Sequence, residues 1–369
     1  MILLSTLIET FEADYLAEYE DAILPSQRKA LAAMRICRTA ASPMMRAHCD
    51  DCAHTEVVPH SCGHRSCPHC QHHESQKWIA RQLARQVPAS YFLLTFTLPK
   101  ELRPLAWANQ RTLYDLMTRA SWETVQAFAQ NDSQLQGEAG AITVVHTHSR
   151  RLDYHPHVHL VMPAAAIDRQ RQWRRKSAKR HGYLFNHKAL AKVFRAKLLD
   201  AIAAEGLPLP PQYPRGWVVD CKRVGNGEKA LIYLGRYLYR GVIQEKDIVS
   251  CENGQVTFRY RHAKRKQFEY RTLPGAKFLS LMLQHVLPKG FRRARNFGFL
   301  HPNSKRSITL LQLLFGRDVK QALARLPQRP QLRCTCCGGA MTIIQTRLTP
   351  RPRQGHLFAD IDATGVLAM

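Results

Sequence analysis

The chain has 369 residues, 45% of them hydrophobic, with 54 Lys and Arg against 28 Asp and Glu and a formal net charge of +26. That length supports two or three domains with sizeable cores, and the charge points to a polyanionic partner, nucleic acid before any other, because the basic residues are interleaved with aromatics. The apolar start runs straight into Glu9, Glu12 and Asp14 without a basic leader, and no apolar run is long enough to span a bilayer, so a cytoplasmic, nucleoid-associated protein with reduced cysteines is expected.

Residues 1–47 read as helical, with Arg28, Lys29, Arg35 and Arg38 on a basic stretch. Residues 48–73 hold a Cys/His cluster. Trp78, Ile79, Leu83 and Val87 recur at helical spacing and predict a helix over 74–90. Tyr91 to Leu98 is apolar, rich in β-formers and stopped by Pro99, which predicts a buried strand. Residues 100–131 are helical. Ala141 to His146 and His157 to Met162 are two strands joined by a polar turn. Ala189 to Glu205 and Lys229 to Tyr239 are helices. Val256 to Tyr260 and Gln267 to Thr272 predict a hairpin, and Lys277 to His285 a helix. The stretch 330–369 carries a Cys pair and then TPRPRQG, which is expected to be poorly ordered.

Cys49-x-x-Cys52 followed by Cys67-x-x-Cys70 has the spacing of a tetrahedral thiolate cage for structural Zn²⁺. Cys62, His64 and His69 lie in or beside the loop, so the ligand set stays open. The module is expected to present His60, His64 and Arg65 outward. Cys334-x-x-Cys337 resembles half of such a site, with Cys336 adjacent. It could recruit a histidine, act across a dimer, or be the remnant of a ribbon.

His157-Val158-His159 places two imidazoles on one side of a strand, where they can share a divalent ion and leave positions open for substrate oxygen and water. If His148 faces His155 across the hairpin, His146 lies opposite His157 and supplies a third ligand. A different register or a bulge would put His148 there instead. Tyr233 and Tyr237 are four residues apart on a helix and share one face, so two phenols project into the same space. A phenol suits attack on a phosphodiester because the resulting ester conserves bond energy. Arg236 and Arg240 repeat the same spacing and could hold phosphate oxygens. In the basic stretch 169–180, Trp173 beside Arg174 and Arg175 offers a stacking platform for a base; a solvated loop explains the stretch equally well. Lys289, Arg292 and Arg293, set among Phe291, Phe297 and Phe299, read as a further DNA-binding patch.

With those motifs in hand, the chain resembles the IS91-type, ISCR-like HUH transposases, rolling-circle enzymes with an N-terminal zinc-binding domain. The resemblance covers about residues 10–310 and rests on LLTFTLPKELRPL (93–105), VVHTHSRRLDYHPHVHLVMP (144–163), YLGRYLYRGVI (233–243), HVLPKGFRRARNFGFL (285–300) and the cysteine module at 49–71. It implies an α+β fold: a ferredoxin- or RRM-like antiparallel sheet with flanking helices, the HUH strand central, and the tyrosine helix over the metal. It implies His157 and His159 as metal ligands with His146 beside them, Tyr233 and Tyr237 at the nucleophile positions, and Cys49, Cys52, Cys67 and Cys70 on zinc. His148 stands where the family has an aromatic residue. The implied activity is nicking and rejoining of single-stranded DNA at insertion-sequence ends and at target DNA through a 5′-phosphotyrosine, with Mg²⁺ or Mn²⁺. The expected domains are 1–90, helical and zinc-binding; 91–310, catalytic; and 311–369, a tail with the Cys pair. A plasmid or phage replication initiator or relaxase would share this chemistry. A non-catalytic zinc-finger DNA-binding protein would explain only the charge and the cysteines.

Overall fold

A computed structural model describes residues 2–177, 182–239, 242–262, 265–316, 323–324 and 331–348. Along the chain run α1 (Leu4–Tyr19), α2 (Pro25–Arg35), β1 (Met44–Cys49), β2 (Thr55–Pro59), α3 (His72–Leu83), β3 (Tyr91–Thr97), α4 (Arg103–Ala108) and α5 (Gln110–Asn131). Next come β4 (Glu138–His148), β5 (Tyr154–Pro163), β6 (Ala165–Ile167), β7 (Trp173–Arg175), α6 (His187–Ala204), β8 (Val219–Arg223) and α7 (Glu228–Tyr239). The remaining elements are β9 (Ile248–Glu252), β10 (Gln255–Arg261), β11 (Phe268–Pro274), α8 (Gly275–Leu283), β12 (Ala294–Gly298), α9 (Lys305–Leu314) and β13 (Met341–Leu348). The fold is α+β, built on antiparallel strand pairs. Among the described residues no helix is long and apolar enough to cross a membrane.

The elements separate into two compact units, residues 1–35 with 63–329, and residues 36–62 with 330–369. These are not the expected boundaries at 90 and 310. The first helices belong to the larger unit because of what they bury: the Leu4 N–H donates to the Glu245 carboxylate at 2.7 Å, and Gln27 Nε2 donates to the Leu283 carbonyl at 3.1 Å. Gly275 sits so close to the Phe11 ring that a Cβ there would lie 2.2 Å from it. Helix also stops at Arg35 rather than continuing to residue 47. Arg38 takes a left-handed backbone conformation (φ 59°) and Pro43 cannot extend a helix, so the chain turns into β1. In the smaller unit β1 pairs with β2 on one side and β13 on the other. The C-terminal stretch therefore contributes a strand as far as Leu348, and TPRPRQG lies outside the described residues.

In the larger unit a sheet has the order β7-β6-β4-β5-β3-β8, with β12 also pairing along β4. The HUH strand, β5, is central, held by β4 and β3. Strand alternation assigns its faces. Val158, Leu160 and Met162 join Phe92, Leu94 and Phe96 in a core covered by α5 and α6. Val161, with Ile142 and Val144 of β4, joins a second core under α3 and α7. His157 and His159 share parity with Val161, so the histidines face α7. That helix buries Leu231, Leu234 and Leu238, one stripe at helical spacing.

Gly235, in the middle of α7, is required by close helix packing. A Cβ there would stand 2.2 Å from Ile79 Cγ1 and 2.9 Å from Trp78 Cε3 of α3, and its carbonyl accepts from Ser75 Oγ at 2.9 Å. Gly235→Ala should therefore destabilise the fold by about 1–3 kcal/mol, as overpacking does, and Gly235→Val by more. Urea unfolding checks this; an unchanged midpoint in both variants would contradict the packing described.

Candidate active site: a histidine triad under a two-tyrosine helix

The β4–β5 hairpin sets the register. His146 is opposite His157 and Val144 opposite His159. An irregularity follows, so His148 pairs with Tyr154 rather than with His155. That bulge leaves His146 facing His157 and moves His148 out of line. The ring nitrogens of His146, His157 and His159 come within 4.8 Å of one another. His148 instead lies within 2.8 Å of the Tyr237 hydroxyl and does not join this group.

Neighbouring groups fix how two of the three imidazoles present themselves. His157 Nδ1 donates to the His155 carbonyl at 2.7 Å, and His159 Nδ1 meets Thr95 Oγ1 at 2.9 Å across the β3–β5 ladder. Both rings thus keep Nε2 for another partner, an arrangement typical of metal-ligating histidines. His146 is buried, and among the described residues its Nε2 has no hydrogen-bond partner. An orphaned buried nitrogen beside two free Nε2 atoms fits a divalent cation. Burial is the main force on their protonation. It pushes His157 down to about 3 and His159 to about 4, and holds His146 and His148 well below the usual imidazole value; the neighbouring rings and Arg293 push most of them the same way. All are neutral near pH 7, the form that binds metal.

α7 carries the tyrosines over this triad. The Tyr237 ring stacks on His146 at 3.4 Å between centroids, and Arg293 Cζ lies 5.1 Å from its ring centroid. Burial drives its phenol far above the ordinary value. Tyr233 is 50% exposed, its ring 6.5 Å from His159 and 6.3 Å from Tyr237. Burial raises its phenol as well, and the Arg150 charge opposes the shift. The two hydroxyl-bearing rings share one face of α7 but differ in access. Both, with the triad, line a cleft of about 920 Å³ whose rim includes Arg150, Arg236 and Arg261.

The expected DNA-binding residues divide. Arg236, Lys289 and Arg292 are exposed. Arg240 lies outside the described residues. Arg293 turns inward: its Nε donates to the Val145 carbonyl at 2.9 Å and its Nη1 to the Leu238 carbonyl at 3.2 Å, so it joins β4 to α7. Trp173 is no open platform, since its ring packs edge-on against Phe299 at 5.5 Å, partly buried against the second core. Arg174 pairs with Asp168 at 2.8 Å, and Arg175 lies over the Phe315 ring at 5.7 Å. Residues 173–175 form β7 rather than a solvated loop. Of the expected zinc ligands, Cys49 and Cys52 group with Cys334 and Cys337, and Cys67 and Cys70 do not belong to that group. The two early Cys pairs therefore do not close one cage, because β1 carries Cys49 toward β13. Sequence reasoning missed Thr95 and Arg150. Thr95 was legible in principle, since the FTLP strand must pair with the HUH strand.

Known proteins resemble this chain over two regions. Residues 140–307 match a family described as "Putative transposase", and residues 7–98 match "Transposase zinc-binding domain". "Putative transposase y4qJ" of Sinorhizobium fredii is 33% identical over 301 residues, 74% of each chain. The chain belongs to the IS91-type transposase family. The "Transposase for insertion sequence element IS801" of Pseudomonas savastanoi pv. phaseolicola is 30% identical over 271 residues, and the match spans 68% of this transposase and 63% of that one. Among solved structures, a conjugative relaxase TrwC in complex with a mutant OriT DNA aligns at a TM-score of 0.27 with 16% identity, covering 62% of this transposase and 74% of that chain.

The histidine cluster gives the transposase an acid limit. The folded-state values lie below the unfolded value near 6.5, so the unfolded chain takes up protons first as pH falls. The stability these residues contribute is complete above about pH 6.5 and is lost progressively toward pH 4 and then 3, by up to about 1.4 kcal/mol per pH unit for each group. In a chelator, the urea midpoint should be lower at pH 5 than at pH 7.5, and the difference should shrink in a His157→Gln, His159→Gln variant. Equal slopes for both proteins would contradict the assignment.

Proposed function

We propose that this transposase nicks single-stranded DNA at the ends of its insertion sequence and rejoins it at target DNA through a 5′-phosphotyrosine. The observation that carries the reading is the convergence of three neutral imidazoles and two tyrosines on one basic-rimmed cleft. Family membership supports the transposase over a replication initiator.

Mg²⁺ or Mn²⁺ held by His146, His157 and His159 would polarise the scissile phosphate and offset its developing charge. Tyr233 is the first nucleophile, because its half-exposed ring meets a strand entering the cleft, whereas Tyr237 is stacked on His146. Tyr233 Oη attacks phosphorus and loses its proton. The bond from phosphorus to the 3′ oxygen breaks, that oxygen leaves as a hydroxyl after taking a proton, and the 5′ phosphate stays esterified to tyrosine. Energy is retained in the new ester, so a 3′ hydroxyl can later reverse the step on another strand. Arg150 favours the phenolate at Tyr233, and Arg236 at the rim can hold the incoming backbone. Tyr237 serves as the second acceptor once the first is occupied.

Cleavage of a labelled single strand carrying candidate end sequences tests this. His157→Ala with His159→Ala should lower the nicking rate by at least about 100-fold while DNA binding, dominated by distributed phosphate contacts, changes little. Tyr233→Phe should abolish the first cut, and Tyr237→Phe should spare it and impair strand transfer. Full nicking by the histidine variant, or in chelator, would overturn the metal site, and no cleavage by the wild type would favour a non-catalytic DNA-binding protein.

A further inference from the structure

The smaller unit holds two Cys-x-x-Cys turns built alike. In the first, the Cys49 N–H donates to the His54 carbonyl at 2.8 Å, Ala53 takes a left-handed conformation at φ 57°, and the His54 N–H is directed at the Cys52 sulfur. In the second, the Cys334 N–H donates to the Gly339 carbonyl at 2.9 Å, Gly338 is left-handed at φ 73°, and the Gly339 N–H donates to Cys337 Sγ at 3.4 Å. Each turn thus closes from its first cysteine to the fifth residue on and aims a backbone N–H at its second sulfur. Such donors favour a thiolate.

The turns face each other although they stand 282 to 288 residues apart in sequence. Cys49 Sγ is 3.5 Å from Cys337 Sγ, and Cys52 Sγ is 3.6 Å from Cys334 Sγ. All four sulfurs lie within 4.8 Å of one another. A tetrahedron with Zn–S bonds of about 2.3 Å has S–S edges of about 3.8 Å, whereas a disulfide would need about 2.05 Å. Cys49 and Cys334 are buried with Ala47 and Met341 in a small apolar cluster, which gives the group a dry side. Uncompensated, this crowding of thiols has no physical benefit; one cation at its centre turns four adjacent sulfurs into ligands.

We infer that Cys49, Cys52, Cys334 and Cys337 bind one structural Zn²⁺ that fastens the C-terminal strand β13 onto β1. The matched family regions, 7–98 and 140–307, both end before Cys334, so neither supplies the second half of this site. Pairing of Cys49 with Met341 and His48 with Thr342 follows directly from the two turns being held together. Cys336, exposed between two ligands, is not one of them.

Zinc content of the full-length reduced protein, measured with hydrogen exchange of residues 341–348, tests the site. Cys334→Ser with Cys337→Ser, and separately Cys49→Ser with Cys52→Ser, should each remove one zinc per chain and unprotect the amides of 341–348. Cys336→Ser should keep wild-type zinc and protection, and Cys337→His, which preserves a ligand, should retain the metal that Cys337→Ser loses. If the double variants prove insoluble, the last two still decide: loss of zinc from Cys336→Ser, or equal zinc in Cys337→His and Cys337→Ser, refutes the assignment. Undiminished zinc in either double variant, or a Cys49–Cys337 or Cys52–Cys334 disulfide in the purified wild type, refutes it as well.

Discussion

Pairing of β4 with β5 in a single register is the constraint on which the rest of the site depends. A slip of one residue would turn every side chain of β5 to the other face, sending His157 and His159 into the apolar layer beneath α5 and α6. The register is held by that same layer: Val158, Leu160 and Met162 are fully buried on the far side, and β3 and β4 hold the strand from both edges. Hydrophobic burial on one face of the sheet thus determines the position of the three imidazoles on the other.

The site also carries a cost that its surroundings must offset. Several imidazoles and a phenol are packed together out of water, and their charged forms are disfavoured. Arg293 supports the arrangement mechanically, since its donors tie the β4 backbone to the end of α7 and its guanidinium lies against Tyr237. The charge raises the difficulty of protonating the histidines and lowers that of ionising Tyr237. One residue therefore both sets the spacing between sheet and helix and biases the ionisation of groups on each.

Much of this was legible in the sequence because the relevant spacings are local. Alternation in His157-Val158-His159 and the four-residue step from Tyr233 to Tyr237 each fix a face without reference to the rest of the chain. His146 needed only hairpin counting, and the bulge fell just beyond it, at His148. The misreadings involve contacts that no local pattern encodes. Arg292 and Arg293 are adjacent basic residues, yet one is exposed and the other bonds to Val145 and Leu238. Trp173 looked like a stacking platform because its basic neighbours dominate the stretch, but strand pairing with β6 turns its ring toward Phe299. Cys49 and Cys52 have an attractive partner pair close by in sequence, and only the return of the chain as β13 brings Cys334 and Cys337 to them. Domain boundaries failed for the same reason, since the smaller unit is assembled from two distant segments.

The proposed division of labour between Tyr233 and Tyr237 is tested most directly by identifying the covalent adduct. Wild-type protein should be trapped on a single-stranded substrate during the first cut, digested, and the peptide–DNA conjugate located by mass spectrometry. The account predicts a 5′-phosphate ester on Tyr233, with Tyr237 becoming modified only when a second end is supplied. An adduct on another residue, or Tyr237 modified first, would contradict it.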